Sequence, residues 1–471
     1  MSLQNYKILI LFLLFTLCCV AVKAQEKSAI VFRNASVIDM IGGHPKPNMT
    51  VIVRGNRIAE IGKNLKIPKN AEIVDASGKF LIPGLWDMHV HMFNNISRAG
   101  TNDRDVNFPL FVANGVTGVR DMFSDPEDIK LARQWNAERE AGTTIAPRVF
   151  VGSTIVDGVP AFMPDLPQIL GVKNAEEARA AVRTLKASGA GFIKVYWNLS
   201  PEAYFAIADE AKKLGIVFAG HVPFSVSAFE VSDAGQKSIE HLTGIVETCS
   251  SKEDELRKKE WTPAVSDEMF ATYDAKKCLN LFKRFAKNQT YHAPTAILHR
   301  GMALYDDDGF LNNPSFKYVS KATLKEWADS PQLNRHHNLK IRKREFEWML
   351  ETIGAMHRAG VPILAGTDNN NPYVVPGFAL HDELELFVRA GLTPRQALET
   401  ATINPAKYLE LTRSHGTIET GKTADLVLLD ANPLADISNT RKINAVISGG
   451  RLLRRADLDE MLNKVAERAK Q

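Results

Sequence analysis

The 471-residue chain holds only four cysteines, which rules out a disulfide scaffold as the source of its stability. It has no run of five or more lysines and arginines, and its formal net charge is only +4. A nucleic-acid footprint needs clustered positive charge, so that class of partner is excluded. Internal repeats and low-complexity tracts are also missing, which sets aside solenoids and disordered arms. What is present is a globular composition, with 45% hydrophobic and 24% charged residues. That supports a sizeable core spread over two or three domains, or one large barrel with attachments.

Lys7 precedes an apolar run over residues 8–22, and Val22-Lys23-Ala24 puts small or branched residues before Gln25. This is the order of a secretory signal peptide, with an apolar part short for a bilayer span. Cleavage after Ala24 is expected; a transmembrane anchor is the competing reading. Neither Cys18 nor Cys19 follows a Gly, Ala or Ser, so no lipid attachment is read. Losing residues 1–24 removes two lysines and no acid, which lowers the net charge from +4 to +2 and leaves only Cys249 and Cys278. A secreted or periplasmic location permits a disulfide between them without requiring one. After cleavage no stable membrane association is expected.

Short β runs punctuated by turns occupy residues 30–32, 36–40, 50–54, 57–61 and 72–75, with Gly55-Asn56 as a hairpin turn between two of them. The same vocabulary returns only at residues 424–430 and 443–447. Each piece is too small for a core of its own, so the two are expected to complete one β-sandwich domain from residues 25–82 and 413–456, followed by a helix over 457–471. Between them, apolar runs at 80–90, 116–121, 148–155, 192–197, 217–222, 238–242, 291–297 and 363–368 alternate with amphipathic stretches, clearest at 174–188, 200–214, 269–287 and 338–359. Eight strands alternating with helices predict an α/β fold, a (β/α)8 TIM-like barrel over residues 83–412. Its chemistry should then sit at the C-terminal strand ends.

Gly416-Thr417-Ile418-Glu419-Thr420-Gly421-Lys422-Thr423 matches the phosphate-loop pattern letter for letter. Phosphate binding needs a strand before the loop and a helix after it, and here the order is reversed, so a glycine-rich turn into a β-strand is the reading.

Asp87-Met88-His89-Val90-His91 ends the first barrel run, and residues i and i+2 of a strand share a face, which aims both imidazoles into one space. His221 ends the fifth run, His241 the sixth and Asp368 the eighth. Singly, each has a tame explanation as a satisfied core histidine or a turn-capping aspartate. Together, four imidazoles and a carboxylate at the exits of several strands are what a metal site at a barrel mouth requires. Lys194 lies inside the apolar fourth run, where burial favours the neutral amine unless a carboxylate pairs with it.

The order His-x-His, Lys, His, His, Asp, preceded by Phe80-Leu81-Ile82-Pro83-Gly84-Leu85-Trp86, resembles the amidohydrolase superfamily. Within it the chain looks like the imidazolonepropionase-related branch, which includes dipeptidases acting on Xaa-Pro or Xaa-basic substrates. Gly377-Phe378-Ala379-Leu380-His381-Asp382-Glu383, Leu392-Thr393-Pro394-Arg395-Gln396-Ala397-Leu398 and Gly421-Lys422-Thr423-Ala424-Asp425-Leu426 resemble that branch too. The resemblance implies two divalent metal ions, zinc by preference. His89, His91 and Asp368 would hold one and His221 and His241 the other, with Lys194, carboxylated by carbon dioxide to a carbamate, between them. It further implies a bridging hydroxide as nucleophile and Asp368 as the proton carrier. Tyr196 and His292 are candidates for contacts to substrate or to the groups behind the metal, weighed evenly against simple packing. One position departs from the branch: Pro223 stands where its dipeptidases usually carry Tyr, so an oxyanion donor must come from elsewhere.

Residues 246–289 and 298–345 read as charged insertions on the active-site side, as lids or as solvated helical excursions. His336, His337 and His357 are read as structural or surface residues. The expected activity is cleavage of an amide in a small peptide or N-acyl amino acid, with a cyclic amide or imidazolone as the alternative substrate. A non-catalytic metal- or ligand-binding protein is the alternative of another class. The expected partner is that small-molecule or peptide substrate, and a homo-oligomer is allowed.

Overall fold

The computed structural model describes residues 28–93, 104–164, 169–260, 262–330 and 339–471. The leader expected over residues 1–24, and His336 and His337, lie outside them.

Strands β1 (Ile30–Val37), β2 (Lys46–Arg54), β3 (Arg57–Gly62), β4 (Glu72–Asp75) and β5 (Phe80–Pro83) come first. Parallel strands follow as β6 (Leu85–Val90), β7 (Val116–Asp121), β8 (Arg148–Val151), β9 (Ile155–Asp157), β10 (Ile169–Gly171), β11 (Phe192–Val195), β12 (Val217–Gly220), β13 (Ser238–Glu240) and β14 (Tyr291–Ala293). The chain returns through β15 (Leu426–Leu429), β16 (Ile443–Ser448) and β17 (Arg451–Arg454) to a helix at Arg455–Arg468. Both chain ends build one sheet, in the order β17-β16-β15-β5-β1-β2-β3 with β4 beside β1. The two β-rich ends expected to complete one β-sandwich domain are joined by continuous hydrogen bonding, with β2, β4 and β5 all paired to β1. Its alternate side chains, from Ile58 on β3 to Ile447 on β16, gather into one core, and Ile58 N–H donates to the Lys422 carbonyl at 2.9 Å.

The apolar run 80–90 is two strands. Its first half pairs antiparallel with β15 and its second half pairs parallel with β7. The break falls at Gly84, where a Cβ would stand 2.1 Å from Thr117 Oγ1. The run 148–155 is likewise divided, into β8 and β9. The parallel strands form a three-stranded sheet β6-β7-β8 and a six-stranded sheet β10-β9-β11-β12-β13-β14. Strands β6, β7 and β11 are buried along their whole length, as strands covered by helices must be. Residues 363–368, expected as a strand, make a single isolated bridge, Ile363 to His292, and Asn369 just beyond them bridges Val90. Their backbone is engaged on both sides nonetheless: Leu364 N–H donates to the His292 carbonyl (2.8 Å) and Met88 N–H to the Ala365 carbonyl (2.8 Å).

Helix boundaries follow from caps. Asn174 accepts from Glu177 N–H ahead of the helix Ala175–Ser188, which Gly189 stops in the left-handed conformation. Ser200 and Gly215 bracket Pro201–Leu214 in the same way. The pattern at 269–287 breaks instead, because Asp274 accepts from Lys276 and Lys277 N–H and starts a new helix at Ala275–Asn288. Cys278 on that helix forms a disulfide with Cys249. The phosphate-loop look-alike is the turn leading into β15, as its context implied. Among the described residues no helix is long and apolar enough to cross a membrane.

Candidate metal centre

Backbone contacts aim the expected ligands at one another. Asp87 on β6 accepts from the N–H groups of His89 (3.2 Å) and Thr367 (3.0 Å) and from the Thr367 hydroxyl (2.6 Å), which clips Asp368 beside the His-x-His pair. Burial pushes the Asp87 carboxyl up to about 7, against the pull of Thr367 and His89. Before His221, Gly220 has φ +142°, and a Cβ there would lie 2.1 Å from the Val195 carbonyl oxygen. His241 and Asp368 hold left-handed backbone at φ 58° and 60°. That conformation costs a non-glycine residue on the order of 1 kcal/mol and persists where the surroundings fix it. Here His241 N–H donates to the Ala293 carbonyl (2.9 Å) and Asp368 N–H to the His89 carbonyl (2.7 Å).

Ligating atoms of His89, His241 and Asp368 lie within 4.8 Å of one another. Asp368 Oδ1 is 3.3 Å from His89 Nε2 and 2.7 Å from His91 Nε2, yet neither approach has the alignment of a hydrogen bond to that oxygen. Both ring nitrogens of buried His221 also lack partners. Burial, with Lys194 adding to it, drives the His221 imidazole well below its ordinary value, and burial does the same to His241, so both stay neutral. The Thr295 hydroxyl donates to the Pro294 carbonyl (2.7 Å) and therefore accepts from His241 Nδ1–H (2.7 Å), leaving Nε2 free. Glu240 accepts from His89 Nδ1–H at 2.8 Å with the same effect. For Asp368, burial raises the carboxyl but His89 and His241 more than offset it, and it is held well below the usual carboxylate range. Neutral imidazoles with free lone pairs around an ionised carboxylate fit divalent cations, and unsatisfied buried nitrogens are costly without one.

Lys194 is 2% exposed and has no ion-pair partner among the described residues. Burial pushes its amine down to about 8, with Glu240 and Asp368 pulling the other way. Behind it lies a network that sequence reading missed. Arg120, fully buried on β7, donates to the Met88 carbonyl (2.6 Å), Ser238 (2.9 Å), Tyr408 (2.8 Å) and both oxygens of Glu240 (3.0 and 2.9 Å). Burial would raise the Glu240 carboxyl, but Arg120, His89 and Lys194 hold it far below its ordinary range. The available signal was a charged residue inside each of two short strand runs that the structure buries completely.

All six expected ligands and Tyr196 line one cavity of about 340 Å³. Tyr196 packs 4.3 Å from the His221 ring. Both insertions supply wall residues, Glu247 and Met269 from the first and His299, Met302 and Glu345 from the second. His292 is not part of the lining: it sits in the middle of β14, buried against Phe285 at 4.6 Å, where a strand-end position would have reached the mouth. His357 lies on the helix Leu339–Arg358, also away from the cavity.

A sequence model described as the amidohydrolase family matches residues 80–453. Ochratoxinase of Aspergillus niger is 24% identical over 491 aligned residues, covering 92% of this chain and 88% of that protein. Imidazolonepropionase of Thermoplasma acidophilum is 23% identical over 434 residues, covering 86% and 89%. Among solved structures, a Xaa-Pro dipeptidase with methionine in its active site superposes with a TM-score of 0.65 at 22% identity, covering 91% of this chain and 100% of that one. Bottromycin amidohydrolase gives a TM-score of 0.71 at 20% identity, covering 93% and 90%. Such neighbours imply a TIM-like barrel joined to a β-rich domain. With the family match running from β5 to β17 and enclosing every residue of the centre, the chain belongs to the amidohydrolase family of metal-dependent hydrolases acting on carbon–nitrogen bonds.

Proposed function

We propose that the chain is an exported binuclear metallohydrolase that cleaves an amide bond in a small peptide or N-acyl amino acid. The observation that carries this reading is the set of buried, unshared donors that converge on one cavity: Asp368 Oδ1, both nitrogens of His221, and the Nε2 atoms left free on His89 and His241. His89, His91 and Asp368 would hold one cation and His221 and His241 the other, zinc by preference, with carbamylated Lys194 between them. When bound, such ions polarise a carbonyl and bring the pKa of a coordinated water to about 7. The buried Lys194 amine is biased toward its neutral form, whose lone pair adds to carbon dioxide with loss of one proton. Asp368, kept ionised, takes the proton of the attacking water and passes it to the departing amine nitrogen. Tyr196, which lines the cavity, would contact the substrate there.

Export is supported by the charged-apolar-small order of the leader and by the Cys249–Cys278 disulfide. Closure of the parallel strands into a (β/α)8 barrel is supported by the backbone of residues 363–368, which bonds both His292 and Met88, and by Gly191 N–H donating to the Val151 carbonyl (3.0 Å) between β8 and β11. The same reading divides the chain near residues 82 and 412. A second substrate class, cyclic amides, is favoured by the likeness to imidazolonepropionase. A hydrolysis screen of the zinc-loaded protein, with dipeptides, N-acyl amino acids and cyclic amides side by side, tests both. The best linear amide is expected to reach a kcat/KM of about 10⁴ M⁻¹ s⁻¹ or more. Ring opening alone would favour the second class, and no turnover by metal-loaded protein would leave a binding protein.

A further inference from the structure

At the end of β9 the fully buried Asp157 carboxylate fastens two loops. Its Oδ2 accepts from Phe162 N–H (2.8 Å), and its Oδ1 accepts from Asn198 N–H (2.6 Å) and Gly158 N–H (2.9 Å). A third loop is tied to the second, because Phe224 N–H donates to the Trp197 carbonyl at 2.9 Å. Pro223 has no N–H of its own and restricts Val222 to extended backbone, so Phe224 makes that tie. Three rings from three loops meet as a result. Trp197 and Phe224 stack at 4.7 Å and 19°, and Phe162 stands 5.9 Å from Trp197 and 6.1 Å from Phe224.

Backbone fixed this firmly ordinarily serves to bury such rings, yet Phe162 is 37% exposed and Phe224 41% exposed. Both line a second cavity of about 470 Å³. It shares Trp197, Gly244, Glu247 and Met269 with the metal cavity, and the Trp197 ring packs 4.6 Å from that of His221. The aromatic surface is therefore continuous with the place where the amide would be cleaved.

We propose that Phe162, Trp197 and Phe224 form a substrate subsite that receives an aromatic or similarly flat apolar group next to the scissile amide, a specificity that rests on the amide-hydrolase reading above. A flat ring laid on this platform covers apolar surface on both partners and keeps the offset or edge contacts that aromatic pairs prefer. The three rings discriminate by stacking, with the charged groups of the same cavity, Glu247, Arg257, Lys258, Lys259 and Glu260, around them, so aliphatic analogues lose affinity while the polar part of the substrate stays engaged at the metal centre.

Calorimetry on the zinc-loaded full chain, with non-cleavable sulfonamides as probes, tests the subsite separately from catalysis. N-benzenesulfonylglycine and N-methanesulfonylphenylalanine place a ring on either side of the sulfonamide, and N-methanesulfonylglycine carries none. At least one aromatic probe should bind about tenfold more tightly than the ring-free one, and in Phe224→Ala that ratio should fall to about threefold or less, with Phe224→Tyr keeping it. A ratio near one in the wild type, or a ratio that survives Phe224→Ala, overturns the proposal. Phe162→Ala, on a different loop, reads the same ratio if Phe224→Ala does not fold. Hydrolysis of N-benzoylglycine in parallel separates the two readings: a preserved binding ratio with no amide cleaved in any screen contradicts the amide-hydrolase reading and leaves the subsite standing.

Discussion

Lys194 is an amine sealed into a strand with no carboxylate in ion-pair contact, a position that burial alone makes unfavourable for the charged form. The carbamate proposed on that nitrogen would turn the liability into two oxygen ligands. Lys194→Ala is accordingly expected to lose bound metal and amide turnover together, and short carboxylic acids such as formate or acetate are expected to restore part of both. Elemental analysis and a turnover assay with and without added formate check this; full metal occupancy in the variant would remove Lys194 from the centre. The histidines were legible because each stands at the exit of an apolar run, a position with one geometric consequence. His292, weighed evenly between a contact at the site and simple packing, is inside β14 and outside the cavity lining, a placement that only the strand bounds Tyr291–Ala293 show. Glu240 and Arg120 were not legible because a buried ion pair is a property of two strands brought together, β7 and β13, and neither run names its partner.

At the scale of elements, that pair joins strands that do not touch in the sheets. Arg120 on β7 ties Met88 of β6 to Ser238 and Glu240 of β13, and Glu240 orients His89. Replacing one member of a fully buried pair leaves the other charged without compensation, which costs about 3 kcal/mol or more. Glu240→Gln should therefore lower the denaturation midpoint, and by releasing the His89 tautomer it should weaken metal affinity about tenfold to a hundredfold. Chemical denaturation and competition with a chelator measure the two effects. Unchanged metal affinity with lowered stability would reduce Glu240 to a core residue. The eight-strand count came from apolar runs, and seven of those runs contain strands. The run 363–368 satisfies its backbone by bonding to its neighbours without regular pairing, with Asp87 and the left-handed Asp368 bending it toward the histidines. Periodicity does not report such a bend, because the burial pattern of the segment is that of a strand.

At the scale of the molecule, the two chain ends close one sheet while the residues between them carry the metal centre, and β5 passes into β6 across a single glycine. The sheet was legible as two β-rich ends, each too small to stand alone; that it forms one hydrogen-bonded sheet depended on long-range pairing, β5 with β15 and Asn56 with Ala424. The insertions after β13 and β14 were legible as insertions on the active-site side; which of their residues reach the cavity was not, since that follows from packing of Met269, Met302 and Glu345 around a common space. All of these elements converge on one cavity lined by the six side chains proposed to hold two cations. The most direct measurement is the metal content of the purified full chain by elemental mass spectrometry. About two equivalents of divalent metal per chain, removed by a chelator together with turnover, is the predicted result, and fewer than about one equivalent in active protein would contradict the binuclear account.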